Sequence, residues 1–289
     1  MSMRRPLALP AAVAALGVAV LAYLGLTGFA FTDYDDEASR PVHALVGGHL
    51  HDFLTTAPAY GGSLLLRSPF ALLPGLWGGG ELAVYRLLAV PCLLAAMMLA
   101  LVIVRTREVR VPGARWAGLV ALLVAGNPIT LRALEIGHPE ELFGAVLCVG
   151  AVLAAIDQRP KLAGVLLGLA IGNKLWAVVA IAPVLLALEE RRVLTATIGA
   201  GVAAALVLPF ALAGGAAGGS GAGAGTGGIF QPWQLWWPLG HLGDVVRGID
   251  GHIKPGYRTP PGWLGPIAHP MIAGLGVPGA LAWVRLKPA

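Results

Sequence analysis

Residues 7–31 read LALPAAVAALGVAVLAYLGLTGFAF, an apolar run that carries no charge. At about 1.5 Å per helical residue, such a run crosses a hydrocarbon core roughly 30 Å thick. The acidic turn Asp33-Tyr34-Asp35-Asp36-Glu37 follows two residues later, so its carboxylates sit where apolar helix meets water. Carboxylates packed this closely repel one another, and at least one is expected to titrate above the ordinary range.

The same grammar recurs along the chain. Further apolar runs cover Leu82–Val104, Trp116–Leu131, Leu142–Ile156, Leu162–Leu188, Val193–Ala213 and Leu264–Val284. The composition agrees: 57% of residues are hydrophobic and 12% charged, against about 25% charged in soluble domains. The expected fold is all-α, a polytopic transmembrane helical bundle of about seven or eight hydrophobic segments forming one domain over 1–289. Long extracytoplasmic loops at 32–81 and 214–263 are expected to hold short interfacial helices.

Short basic clusters separate the runs: Arg4-Arg5, Arg105 to Arg110 with Arg115, Asp157-Gln-Arg-Pro-Lys161, Glu189-Glu-Arg-Arg192, then Arg285 and Lys287. Read as cytoplasmic by the positive-inside rule, they put the N-terminus in the cytoplasm. The net charge of +5 is thus a topology signal. It does not imply nucleic acid, since no basic block with interleaved aromatics occurs. The excess of Arg over Lys, with abundant Ala, Gly, Pro and Val, suggests a GC-rich bacterial genome and hence a bacterial inner membrane.

That topology requires Leu162–Leu188 to begin and end on one side. Gly172-Asn173-Lys174 interrupts it, so two short helices, Leu162–Ile171 and Leu175–Leu188, are expected to meet at a polar hairpin. Backbone in such a tip must be buried in protein or line a wet cavity; the alternative is one tilted helix with inverted downstream topology. In the first loop, His43 to Leu54 is expected to form one amphipathic helix on the membrane. Ser63–Leu76, broken by Pro69 and Pro74, reads as an interfacial or re-entrant piece. Gly214 to Gly228 reads as a flexible linker.

Eleven of the fifteen acidic residues fall on the outer side in this arrangement. Asp33, Asp35 and Asp36 are candidates for a base. A second constellation, Arg132-Ala-Leu-Glu135-Ile-Gly-His138-Pro-Glu140-Glu141, connects two spans. Pro139 with adjacent acids makes a good helix start, so Glu140 and Glu141 either complement the helix dipole or serve a substrate. His138 is read as contacting a phosphate or orienting a carboxylate. Lys174, in the middle of an apolar stretch, needs a cavity or a partner. A lipid phosphate is one partner and an external Glu the other. Trp236 and His241 lie in Phe230-Gln-Pro-Trp-Gln-Leu-Trp-Trp-Pro-Leu-Gly-His241, which suits an aromatic belt or stacking on a sugar ring. Cys92 and Cys148 read as small buried hydrophobes. No metal motif appears beyond the acidic cluster, which leaves room for a divalent cation without requiring one, and no cofactor is expected. Phosphate-loop, dinucleotide, zinc-protease and serine-hydrolase motifs are missing, which weighs against ATP-driven transport and serine hydrolysis.

These residues together resemble the GT-C superfamily of integral membrane glycosyltransferases, and more closely bacterial polyprenyl-phosphate-dependent mannosyltransferase-like proteins. The resemblance rests on Asp33-Tyr-Asp-Asp-Glu37, on Pro58-Ala-Tyr-Gly-Gly-Ser63 with Arg67-Ser-Pro-Phe70, on Gly137-His-Pro-Glu-Glu141, and on Gly168-Leu-Ala-Ile-Gly-Asn-Lys174. It implies a polyprenyl-phosphate sugar donor, a lipid or glycan acceptor, an acidic base in the first external loop, and inversion without a nucleotide sugar. Arg132, His138, Glu140, Glu141, Lys174, Trp236 and His241 are then substrate-binding candidates. Asp33, nearest the membrane, is the favoured base. Relatives of this kind carry more spans after the long loop, so a chain ending at Arg285-Leu-Lys-Pro-Ala289 is expected to be truncated or minimal. A transporter or lipid flippase is the competing reading, because discontinuous helices bind ions in transporters. Oligomeric state is left open.

Overall fold

The computed structural model describes residues 8–27, 33–105, 114–214, 230, 232, 236–247 and 251–286. Helices α1 (Ala8–Thr27), α2 (Ser39–Val46), α3 (Leu50–Thr56), α4 (Gly61–Leu72), α5 (Glu81–Arg105) and α6 (Ala114–Ala125) come first. They are followed by α7 (Pro128–Glu135), α8 (Pro139–Ile156), α9 (Pro160–Asn173), α10 (Ile181–Ala187), α11 (Arg192–Leu212) and α12 (Leu264–Leu286). Among the described residues, the extended pairing amounts to two isolated antiparallel bridges, Phe230 with Arg258 and Arg247 with Ile253. Five segments are long and apolar enough to cross a membrane: Ala8–Leu26, Glu81–Arg105, Ala117–Glu135, Pro139–Ile156 and Arg192–Leu212. The chain is therefore an all-α polytopic bundle, as the hydropathy pattern requires.

The span expected at Trp116–Leu131 continues further. Gly126 and Asn127 break it, and the Asn127 carboxamide oxygen accepts from the N–H groups of Ile129 and Thr130, both at 3.0 Å. That cap, with Pro128 in the first turn, restarts the helix as α7.

The hairpin at 160–187 is present. Lys174 is extended, with φ −157° and ψ 133°, and a 3-10 turn at Leu175–Ala180 precedes α10. The first half is longer than expected, Pro160–Asn173, yet at 1.5 Å per residue it reaches only about 21 Å. The return is fixed by Gln158. Its amide donates to the Ala187 carbonyl and accepts from the Glu189 N–H, each at 3.0 Å. The polar tip is thus buried against α4 and α8, and the hairpin backs onto α11 through a stripe of small residues. A Cβ at Gly164 or Gly168 would lie 2.7 or 2.5 Å from the carbonyl oxygens of Thr195 and Gly199. The absence of side chains at every fourth residue lets the two backbones close together.

One first-loop expectation needs correction. His43 to Leu54 is two helices, α2 and α3, because Gly48 at φ +79° turns the chain where a right-handed helix cannot continue. Ser63–Leu76 is buried in its first half and exposed at Leu72, Leu73 and Leu76. It folds as α4 and a 3-10 turn at Leu73–Trp77, and Gly61, Gly62, Ser63, Leu64, Arg67 and Ala71 are buried. Pro69 is tolerated inside α4 because the Ser68 hydroxyl donates to the Leu65 carbonyl at 2.7 Å. That carbonyl is the one a proline cannot reach.

Candidate functional site

The site is built where α1, α4, α5, α8 and the hairpin tip converge. Arg86 of α5 donates to the Leu26 carbonyl at 2.9 Å, which ties the end of α1 to the start of α5. Beyond it, the acidic run forms a π-helical turn at Tyr34–Ala38. Tyr34 and Ala38 point inward, and the Tyr34 ring packs on Tyr85 with centroids 5.0 Å apart. Tyr85 in turn donates from its hydroxyl to the Leu134 carbonyl. This anchoring splits the acidic run. Asp35, Asp36 and Glu37 face outward, while Asp33 reaches His138, Oδ2 to Nε2 at 3.1 Å.

His138 occupies the N-cap of α8, Pro139 its first position, and Glu140 and Glu141 its first turn. A dipole role accounts for acids at this place, but Glu140 does more. Its side chain is 1% exposed and meets three basic groups. Oε1 lies 2.6 Å from His138 Nδ1 and 3.4 Å from Lys174 Nζ, and Oε2 lies 3.4 Å from Arg67 Nη2. Its main-chain carbonyl accepts from the Asn173 amide at 3.0 Å. Arg67 is equally buried and also donates to the carbonyls of Ser63 and Leu88, both at 3.2 Å. Glu141 extends the network outward, 2.5 Å from Lys174 Nζ and accepting from Trp176 Nε1 at 2.6 Å. The Tyr60 ring packs against the same cluster. Lys174 Nζ lies 4.8 Å from its centroid, and His138 meets it edge-on.

The charges nearly cancel. Arg67, Lys174 and protonated His138 face Asp33, Glu140 and Glu141. Burial works against the imidazolium, but the hydrogen bond and charge of Glu140 outweigh it, with Asp33 adding and Lys174 opposing, so His138 is held above the usual histidine range. Its charged form is therefore present below that raised pKa and lost as pH rises through it. Slight desolvation, then Glu81 and last Asp36, hold Asp35 above the ordinary carboxylate range, so burial and a distant glutamate contribute more than the neighbour within the acidic turn. Burial pushes the Tyr34 phenol up.

The structure thus gathers Asp33, His138, Glu140, Glu141 and Lys174 into one cluster. It gives Lys174 the carboxylates of Glu140 and Glu141 as partners, and a carboxylate partner was among the alternatives the sequence left open. It leaves other candidates outside. Arg132 pairs with Glu135 at 3.4 Å on a helix surface, its side chain 70% exposed. Among the described residues no hydrogen bond, ion pair or ring contact joins Trp236 or His241 to the cluster, and the His241 N–H donates to the Thr259 carbonyl at 3.0 Å. Trp233 lies outside the described residues. Among the described residues no three His, Cys, Asp or Glu side chains converge to hold a metal ion. Arg67 is the residue that sequence reasoning passed over as a site. The signal was available: a lone Arg inside GGSLLLRSPFALL is as costly there as Lys174 in its own apolar stretch.

The family model for glycosyltransferase family 87 matches residues 62–286. The chain belongs to glycosyltransferase family 87. The match takes in Arg67, His138, Glu140, Glu141 and Lys174, and it starts after the acidic turn that carries Asp33. Neither a curated protein nor a solved structure matches the chain. Membership makes the chain a glycosyltransferase with membrane-spanning helices, and it leaves the transporter reading without support.

Proposed function

We propose that this family 87 glycosyltransferase moves a hexose, mannose in the first instance, from a polyprenyl-phosphate donor to a lipid or glycan acceptor with inversion at the anomeric carbon. Asp33 is the base. Its side chain is 44% exposed, yet one oxygen is held by His138, so the other is free for an acceptor hydroxyl. In the transfer the acceptor oxygen bonds to the anomeric carbon as the bond from that carbon to the phosphate oxygen breaks. The phosphate leaves with the electron pair, and Asp33 takes the hydroxyl proton. Lys174 stands ready for the departing phosphate. An ammonium has three N–H bonds, and Glu140 and Glu141 occupy two of them. Stabilising a leaving group by fixed charge in a site screened from water is among the strongest effects open to a catalyst of this kind.

The observation that carries this reading is the Asp33–His138 contact. It joins a half-exposed carboxylate to the buried network of Glu140, Arg67 and Lys174. Sidedness follows from charge. Arg159 caps the end of α9 away from Lys174, next to the end of α8 away from Glu140, and Arg191 and Arg192 open α11 just after the hairpin returns to that end. By the positive-inside rule those ends are cytoplasmic, and so is the N-terminus. The site then opens on the extracytoplasmic face of a bacterial inner membrane. Membranes holding the chain, given radiolabelled polyprenyl-phosphate mannose, glucose and arabinose in turn, are expected to transfer mannose with inverted anomeric configuration. Transfer only from a nucleotide sugar, or a retained configuration, would reject the proposal.

A further inference from the structure

We propose that His138 is a positioning residue for the transfer, a strut that fixes the half-exposed Asp33 against the buried Glu140. The inference rests on the reading of Asp33 as base and adds how that base is held and when it works. Three observations carry it. The imidazole spans two carboxylates from different parts of the chain, with Nε2 3.1 Å from Asp33 Oδ2 and Nδ1 2.6 Å from Glu140 Oε1. The Glu140 side chain cannot give way, being 1% exposed and shared with Arg67 and Lys174. The ring is held in plane by its environment, 14% exposed and edge-on to Tyr60 with centroids 5.6 Å apart.

The charge state decides the outcome. Asp33 from the acidic turn, Glu140 and Pro139 from α8, Lys174 from the hairpin tip and Tyr60 from the segment before α4 are the groups packed around the ring, with Arg67 behind Glu140. When doubly protonated, His138 donates from both nitrogens and satisfies both carboxylates. When it loses a proton, Glu140 still needs a donor on Nδ1, because nothing else sits as close to Oε1. The proton is therefore lost from Nε2, and a lone pair then faces the Asp33 carboxylate. Repulsion turns the base away from the position in which its second oxygen meets the acceptor. Activity is therefore present below the raised pKa of His138 and falls as pH rises through it.

The test uses the full chain in proteoliposomes with radiolabelled polyprenyl-phosphate mannose. The wild type is expected to show an alkaline limb in kcat. His138→Gln, which offers one donor at most to each side, is expected to lose on the order of 10²-fold in kcat, the cost of an ångström of misplacement. It is expected to change KM by less than about 3-fold, since an intact donor site would lose little uniform binding, and to lose the alkaline limb. A His138→Gln enzyme with wild-type kcat and an unchanged limb overturns the inference. Should that variant not fold, a wild-type kcat that stays flat to high pH overturns it equally. Asp33→Asn, run alongside, separates the two ideas: full activity there removes the base assignment itself, whereas an inactive Asp33→Asn beside a fully active His138→Gln removes only the strut.

Discussion

Glu140→Gln is the substitution whose consequence follows most directly from the geometry. The change is nearly isosteric, so no cavity opens and the effect is electrostatic. Glu140 accepts from His138, Lys174 and Arg67 at 2.6, 3.4 and 3.4 Å. A carboxamide offers one oxygen and one donor-only nitrogen. Whichever way it turns, an NH2 group faces a cation. Arg67, whose side chain is 3% exposed, then has no carboxylate and no route to water. Removing one partner of a buried pair costs about 3–5 kcal/mol. At roughly 2–4 °C per kcal/mol for a domain of this order of size, the midpoint should fall by about 6–20 °C. Thermal unfolding of the purified chain in nanodiscs, followed by tryptophan fluorescence, measures this. Trp176 reports locally through its bond to Glu141. The double variant Arg67→Gln with Glu140→Gln removes the stranded charge and should recover part of the loss, with a coupling of about 0.5–3 kcal/mol. A fall of less than about 2 °C in the single variant, or no coupling in the pair, would refute the view of Glu140 as the hub of a buried charge network.

Two further outcomes check the packing around that hub. Gly62→Ala places a Cβ on the Gly172 carbonyl oxygen, so α4 must separate from the hairpin at a cost of about 1–3 kcal/mol; equal thermal stability in the same assay would contradict the contact. Arg132→Ala removes only an exposed pair with Glu135 and should change stability by no more than about 1 kcal/mol while leaving kcat within 2-fold, read from the same sugar-transfer assay.

Much of this molecule was written in its hydropathy. The spans, the basic clusters and the broken helix at Lys174 all follow from the cost of polar groups in lipid. Some of the site was legible for the same reason. Lys174, Glu140 and His138 are polar residues beside apolar runs, and such residues need partners. Which partners they take was not legible. Arg67 lies 73 positions before Glu140 in the chain, and nothing local in either segment announces the pairing. The acidic run showed its charge but not its division. Only the inward turn of Tyr34 onto Tyr85 separates Asp33 from Asp35 and Asp36. Arg132 sits apart from the cluster because the chain turns at Ile136 and Gly137, between the Arg132–Glu135 pair and His138. The break between α6 and α7 was not foreseen: the expected span ran through Asn127, whose side chain caps a new helix.

The central claim is that Asp33, alone among the three aspartates of the acidic turn, accepts the acceptor proton. Asp33→Asn, Asp35→Asn and Asp36→Asn, each reconstituted in proteoliposomes and assayed for transfer from labelled polyprenyl-phosphate mannose, test it directly. Asp33→Asn should keep the wild-type unfolding midpoint and lose transfer by about 10²–10⁴-fold, with the other two within a few-fold of wild type. Undiminished transfer by Asp33→Asn would contradict the account.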